Sequence, residues 1–170
     1  MRSLLATLAA FSLASIAGAQ AMTTRSDRPD TARVVFVCEH GAAKSVVAAA
    51  LFNRMAAERG LAAQAVARGT EPDTVIPAHV RDGLRADGAD IGDARPQGLG
   101  AADGRGARLF VAFDVEVPAA VAGGAPVRRW DGTPSVMRGY DLGRDSIRVR
   151  VAELIAELDG AAPPAARPHP

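Results

Sequence analysis

The sequence predicts an α/β domain of three layers, a four-stranded parallel sheet with helices on both faces, and three observations carry that prediction. Residues 33–38 (Arg-Val-Val-Phe-Val-Cys) and 108–113 (Arg-Leu-Phe-Val-Ala-Phe) are short runs apolar at nearly every position. Such runs suit central strands buried on both faces, because a half-exposed strand alternates apolar with polar. Strand and helix signals then alternate along the chain, the order that builds a parallel sheet through helical crossovers. Finally, 170 residues with 48% hydrophobic side chains and a formal charge of +1 suffice for one core. A chain this apolar and this weakly charged is not disordered.

Taken in order, residues 1–21 read as a signal peptide. Arg2 precedes an apolar run from Leu4 to Ala17, and the triplets Ala17-Gly18-Ala19 and Ala19-Gln20-Ala21 suit a signal peptidase. The run is short for a membrane span and is interrupted by Ser and Thr. The expectation is an exported protein, periplasmic or secreted, with no membrane attachment after cleavage. Residues 22–31 are polar and read as a linker, residues 32–159 as the folded domain, and the Ala/Pro-rich 160–170 as a disordered tail.

Within the domain, strand 33–38 leads into a helix over 44–59, with Val47, Ala50, Leu51 and Met55 at helical spacing and Gly60 as C-cap. A weak strand over 64–67 follows. Pro77 opens a helix to Ala86, with Val80 and Leu84 four apart. The third strand is 108–113 and the fourth 127–130. An amphipathic helix from Tyr140 to Leu158, carrying Ile147, Val151, Leu154 and Ile155, closes the domain. In a sheet of this kind ligands lie beyond the carboxyl ends of the strands, and Cys38 stands at such an end.

Composition excludes several classes of function. One cysteine removes any disulfide framework and any multi-cysteine zinc or iron–sulfur site. Arg2 is the only charged side chain in 1–21, so the chain without that segment has 19 basic and 19 acidic groups and no electrostatic footprint for nucleic acid. His40, His79 and His169 lack metal-ligand spacing, and His79 and His169 read as surface residues. No metal or other cofactor is expected.

The chemistry concentrates in Cys38-Glu39-His40-Gly41-Ala42-Ala43-Lys44-Ser45, a strand end, a small-residue loop and a helix start. Amides of the loop, residues 39–43, together with the helix N-terminus make an anion nest that also stabilises a thiolate. Cys38 there can act as a nucleophile. Lys44, the only lysine in the chain, can curl over the nest and hold an oxyanion's outer oxygens, and Ser45 can donate to the sulfur. A nucleotide-binding P-loop requires Gly-x4-Gly-Lys-Ser/Thr, whereas Cys38 and Ala43 occupy the glycine positions. A lone cysteine on a buried strand is usually a small core hydrophobe. The strand-end position, the glycine turn and the Lys-Ser helix start favour the oxyanion site instead. His40 reads as a loop surface residue or as a cation beside the thiol. Arg128 and Arg129 read as a solvated strand end or a rim attracting an acidic substrate. Trp130 and Tyr140 read as core residues or as an aromatic wall.

Val35-Phe36-Val37-Cys38-x5-Lys44-Ser45, followed by an Ala-rich helix with Leu51-Phe52, resembles the signature of the low-molecular-weight protein tyrosine phosphatase family, which includes thioredoxin-coupled arsenate reductases. Arg68-Gly69-Thr70-Glu71-Pro72-Asp73 and Asp90-Ile91-Gly92-Asp93-Ala94-Arg95-Pro96-Gln97 continue the likeness in the same order. The resemblance implies that Cys38 forms a phosphocysteine, that Ser45 supports it, and that the cation position falls on Lys44. It also implies phosphomonoester hydrolysis, phosphotyrosine-like, with phosphate, arsenate or a phosphomonoester as the bound species. The family pattern is Cys-x5-Arg-Ser, so Lys44 replaces a planar bidentate fork with a point charge. The family's loop Gly and Asn fall on His40 and Gly41, and Glu39 adds a negative charge. The family's general acid is an Asp, usually before Pro, beyond the last strand. This chain has no Asp-Pro, and Asp131 in Trp130-Asp131-Gly132-Thr133-Pro134 is the candidate, with Asp114 and Asp141 as runners-up. These departures leave two alternatives: an oxyanion-binding module with weak or no turnover, and an arsenate reductase. With no resolving cysteine, the latter needs an external thiol.

Overall fold

The computed structural model describes residues 32–160. The expected signal peptide, the linker and all but the first residue of the tail lie outside the described residues. Four strands, β1 (Ala32–Cys38), β2 (Ala63–Gly69), β3 (Ala107–Ala112) and β4 (Val127–Arg129), form one sheet in the order β2-β1-β3-β4. Every pairing is parallel. The carboxyl ends therefore share one edge, where Cys38 pairs with Gly69 and Val37 with Ala112. The chain leaves β1 for one neighbour, β2, and later returns to its other side with β3. The cleft between the ends of β1 and β3 is the topological switch point at which such sheets bind ligands.

Alternation along β1 sorts the layers. Val34, Phe36 and Cys38 face one side and Val35 and Val37 the other, as a two-residue period requires. The first side is thick: α1 (Lys44–Glu58), α2 (Ala78–Ala86) and α4 (Tyr140–Leu158) bury Leu51, Phe52, Leu84, Ile147, Val151, Leu154 and Ile155 against it. The ring of Phe36 lies at its centre, with centroids 6.0 Å from Phe52 and 5.6 Å from Trp130. The second side is thin, covered by the one-turn helix α3 (Ala119–Ala122), a 3-10 turn at Ala101–Gly104, and the partly buried Leu99, Val115 and Val117. The three-layer prediction holds. The sequence pattern missed α3 and the 3-10 turn, since four residues are too few to display a helical period. Two charge clusters fix the edges. Asp103, 4% exposed, accepts from Arg33 at 3.0 Å, Arg68 at 2.8 Å and the Gly100 N–H, which ties the 3-10 turn to β1 and β2. Asp87, just past α2, accepts from the Tyr140 hydroxyl at 2.8 Å and from Arg144, which fixes the start of α4.

Element boundaries follow local chemistry. Gly60, at φ 65°, ends α1, with its N–H bonded to the Ala57 carbonyl and that of Leu61 to Ala56. This is the left-handed C-terminal stop that glycine permits. Pro77 stands as the N-cap of α2. β2 runs longer than the 64–67 expected because all seven of its residues pair with β1.

Candidate active site

The loop after β1 turns its carbonyls one way. The N–H groups of Thr70, Glu71 and Asp73 donate to the carbonyls of Cys38 (3.1 Å), Glu39 (2.8 Å) and His40 (3.0 Å). A trans peptide sets its N–H opposite its C=O, so the amides of Glu39, His40 and Gly41 point away from the β2–α2 loop. Among the described residues, no N–H from Glu39 to Val46 donates to a backbone carbonyl. Helix α1 then begins with Ala43 as N-cap, without a side-chain cap and without an acid in its first turn. Its N-terminal donors stay uncompensated, the condition under which a helix end binds an anion. Gly41 makes the turn possible. Its φ is 60°, and a Cβ there would lie 2.7 Å from the Gly69 nitrogen. The loop thus rests directly on the end of β2.

Cys38 stands beneath the loop, 7% exposed, with its Sγ 3.1 Å from the Oγ of fully buried Ser45. An ionised sulfur can only accept, so Ser45 then donates. In front of this pair is a pocket of about 240 Å³. Its floor and one wall are Cys38, Glu39, His40, Ala43 and Lys44. The segment after β3 supplies Phe113, Asp114 and Val115, and the segment after β4 supplies Ser135, Val136 and Met137.

Charge in the pocket is organised by Asp114. Lys44 Nζ donates to its Oδ2 at 2.7 Å, and the Gly132 N–H donates to its Oδ1 at 2.9 Å. The Lys44 hydrogen bond, then that of Gly132, hold the Asp114 carboxyl below the usual carboxylate range. Asp114 has φ 55°, a left-handed conformation rare outside glycine. Asp131 supports it by accepting the Asp114 N–H at 3.1 Å. Asp131 is itself gripped by Arg129, through Nε at 2.8 Å and Nη2 at 3.2 Å, and that pairing lowers its pKa too. Arg129 also pairs with Glu116.

Known proteins can now be set beside this geometry. Residues 33–128 match the family described as low molecular weight phosphotyrosine protein phosphatase. The chain belongs to that family. Among solved structures, it is similar to a thioredoxin-dependent arsenate reductase of Corynebacterium glutamicum, at 23% identity and TM-score 0.62, over 76% of this chain and 62% of that one. An arsenate reductase of Archaeoglobus fulgidus shares 27% identity at TM-score 0.55, over 72% and 98%. The YwlE arginine phosphatase of Geobacillus stearothermophilus shares 18% at TM-score 0.61, over 76% and 94%. The chain spans less than two thirds of the first of these. Compared with curated proteins, the sequence matches none.

In this member of the family, the structure brings together Cys38, Glu39, His40, Ala43 and Lys44 at one pocket, with Ser45 behind Cys38 and Gly41 and Ala42 completing the loop. It does not bring Asp131 there. The Asp131 carboxylate, expected as the general acid, is turned to Arg129 and to the Asp114 amide and does not line the pocket. Asp141 pairs with Arg144 on α4, away from the pocket. Of the three aspartates, Asp114 alone lines the cavity, and its pairing with Lys44 keeps it ionised. Trp130 is 6% exposed and edges Phe113 at 5.6 Å, so it is core and not an aromatic wall; Tyr140 packs over Gly83. Arg128 pairs with Glu157. His79 is exposed on α2, and His169 lies outside the described residues. Sequence reasoning missed Ser135, Val136 and Met137, because an irregular segment carries no periodic signal. Asp114 had a usable signal: it follows β3 directly, at the switch point beside Cys38.

Proposed function

We propose that this chain hydrolyses phosphomonoesters with Cys38 as nucleophile. The observation that carries the reading is the single construction at the end of β1: a cysteine sulfur 3.1 Å from a buried serine hydroxyl, under a loop whose Cys38, Glu39 and His40 carbonyls are drawn to the opposite side. That arrangement supports attack of Sγ on a phosphorus whose oxygens lie against loop amides, with the ester oxygen leaving in line. The product of the first step is a phosphocysteine, which water then hydrolyses. Lys44 contributes its charge from the rim, shared between Asp114 and the incoming oxyanion. The pocket is lined by charged and polar groups, by aliphatic Val115, Val136 and Met137, and by one aromatic ring, buried Phe113, so phosphotyrosine is one candidate ester among several.

The test is turnover of nitrophenyl phosphate with inhibition by vanadate, and trapping of a phosphorylated protein by acid quench. Phosphate binding without turnover establishes a second reading, an oxyanion-binding module. The Lys44–Asp114 pair favours that alternative, because it places a carboxylate beside the site a dianion would take. Arsenate reductase activity, the activity for which two of the structural relatives are named, requires two electrons from external thiols here, since Cys38 is the only cysteine. We also propose that the protein acts outside the cytoplasm, on the composition of residues 1–21; N-terminal sequencing of the protein from a cell fraction tests this.

A further inference from the structure

We propose that His40 is the acid–base catalyst of this site, giving a proton to the departing oxygen and taking one from the attacking water; the proposal rests on the hydrolytic reading above. In-line displacement leaves negative charge on the ester oxygen, and a poor leaving group departs only if that oxygen is protonated. The segment after β4 puts Ser135, Val136 and Met137 at the pocket, none of which is an acid of useful strength. Asp131 is clamped by Arg129 outside the lining, and Asp114 is bonded to Lys44. A carboxylic acid ordinarily gives up its proton far below neutral pH. Imidazole is the side chain that exchanges a proton in the neutral range, and His40 is the one imidazole among the pocket-lining residues.

Its placement suits the role. The ring lines the pocket with its side chain 55% exposed, so it reaches the mouth through which the leaving group departs. Two carboxylates face it, one on each side: Glu39 lies 3.6 Å from Nε2 and Asp73 lies 3.5 Å from Nδ1. Glu39 belongs to the same loop, and Asp73 to the β2–α2 loop that already bonds the His40 carbonyl. Both distances exceed an ordinary hydrogen bond, so neither ring nitrogen is committed to a partner. Cys38, Lys44 and Asp114 are the other titratable groups around the pocket.

The steps balance. A Sγ lone pair forms the S–P bond while the P–O bond breaks. The leaving oxygen receives the electron pair, takes the His40 proton and departs as an alcohol. Water then attacks phosphorus, its proton passes to His40, and the S–P electron pair returns to sulfur. Phosphate leaves, and thiolate and imidazolium are restored.

The experiment compares kcat/KM of the full chain and its His40→Asn variant on alkyl, phenyl and dinitrophenyl phosphates, with inorganic phosphate binding measured beside it. The expected result is a loss of about a hundredfold on phenyl and alkyl phosphates, with a change of no more than about threefold on the dinitrophenyl ester. An equal loss on all esters, or none, overturns the proposal, as does finding the steepened leaving-group dependence in Glu39→Gln and not in His40→Asn. Should His40→Asn no longer bind phosphate, the wild-type pH profiles decide. A fall on the alkaline side for phenyl but not dinitrophenyl phosphate supports His40, and identical profiles overturn it. A wild-type chain that turns over no ester fails the hydrolytic reading itself, a result distinct from all of these.

Discussion

The two ends of the pocket are built from different materials. On the β1 side the working groups are main-chain amides, a buried sulfur and a buried hydroxyl, held by a glycine turn lying against β2. On the β3 and β4 side they are charged side chains in series, Lys44 to Asp114 to Asp131 to Arg129 to Glu116, mostly at the surface. Backbone geometry fixed by burial tolerates little change. A surface charge network can exchange members for about 1 kcal/mol or less each. The strand and the Cys38–Ser45 contact keep the family pattern, and the departures lie in the turn, at His40 and Gly41, and at the cation position, Lys44. The buried sulfur–hydroxyl pair and the glycine turn are thus set by packing, and the paired charges are properties of the rim.

Substitutions on the β1 side should therefore be the most severe. Cys38→Ser is expected to cost turnover on the order of a millionfold, the scale of losing a nucleophile. Phosphate binding should survive, as measured by calorimetry, because the amides remain. Gly41→Ala comes next. A methyl there meets the Gly69 backbone at 2.7 Å and forces an L-residue to φ 60°. The expected loss is about 2 kcal/mol or more in denaturant unfolding, together with loss of activity. Gly60→Ala provides the contrast: its φ is 65°, but nothing lies within 4 Å, so about 1 kcal/mol is expected and activity should persist. Equal costs at the two glycines would show that the loop does not depend on its contact with β2.

This contrast also explains what the sequence could and could not reveal. The run Arg33–Cys38, the glycine two residues before Ala43, and the periodic helices from Lys44 and Tyr140 are local patterns, and each appears in the structure within a residue or so. Strand order and the switch point follow from alternation and short connections. The rim has no such pattern. Whether Asp131 or Asp114 faces the cavity depends on Arg129, which holds Asp131, and on the Asp114 N–H that donates to Asp131, a contact made only after β3 and β4 pair. Sequence position favoured Asp131 because it lies beyond the last strand, and the guanidinium two residues before it outweighs that position.

On the β3 side, effects should be moderate and can change sign. Asp114→Asn removes the carboxylate that holds Lys44 at 2.7 Å and frees the ammonium for an oxyanion. Inorganic phosphate should bind about fivefold more tightly, the scale of one partly exposed charge pair. Nitrophenyl phosphate turnover serves as the activity readout for the same variant. Weaker phosphate binding would mean that Asp114 positions Lys44 for the anion and does not compete with it, and the rim would then resemble the rigid β1 side.

The smallest effect is a pH dependence confined to the acid range. The folded-state pKa of Asp114 is depressed, first by the Lys44 hydrogen bond and then by the Gly132 N–H. A depressed carboxylate adds stability that is complete above its unfolded pKa, near the ordinary value of 3.8, and that disappears as pH falls through the lower folded value. Asp131 shifts in the same direction through Arg129. The urea midpoint should therefore be indifferent to these two groups from neutral pH down to about 5 and should fall below about 4. Asp114→Asn should flatten part of that fall, because the amide does not titrate, while leaving the β1 side untouched. A wild-type midpoint that declines already between neutral pH and 5 would have to come from another group. The division between a rigid backbone end and an adjustable charged end would then have to be redrawn around that group.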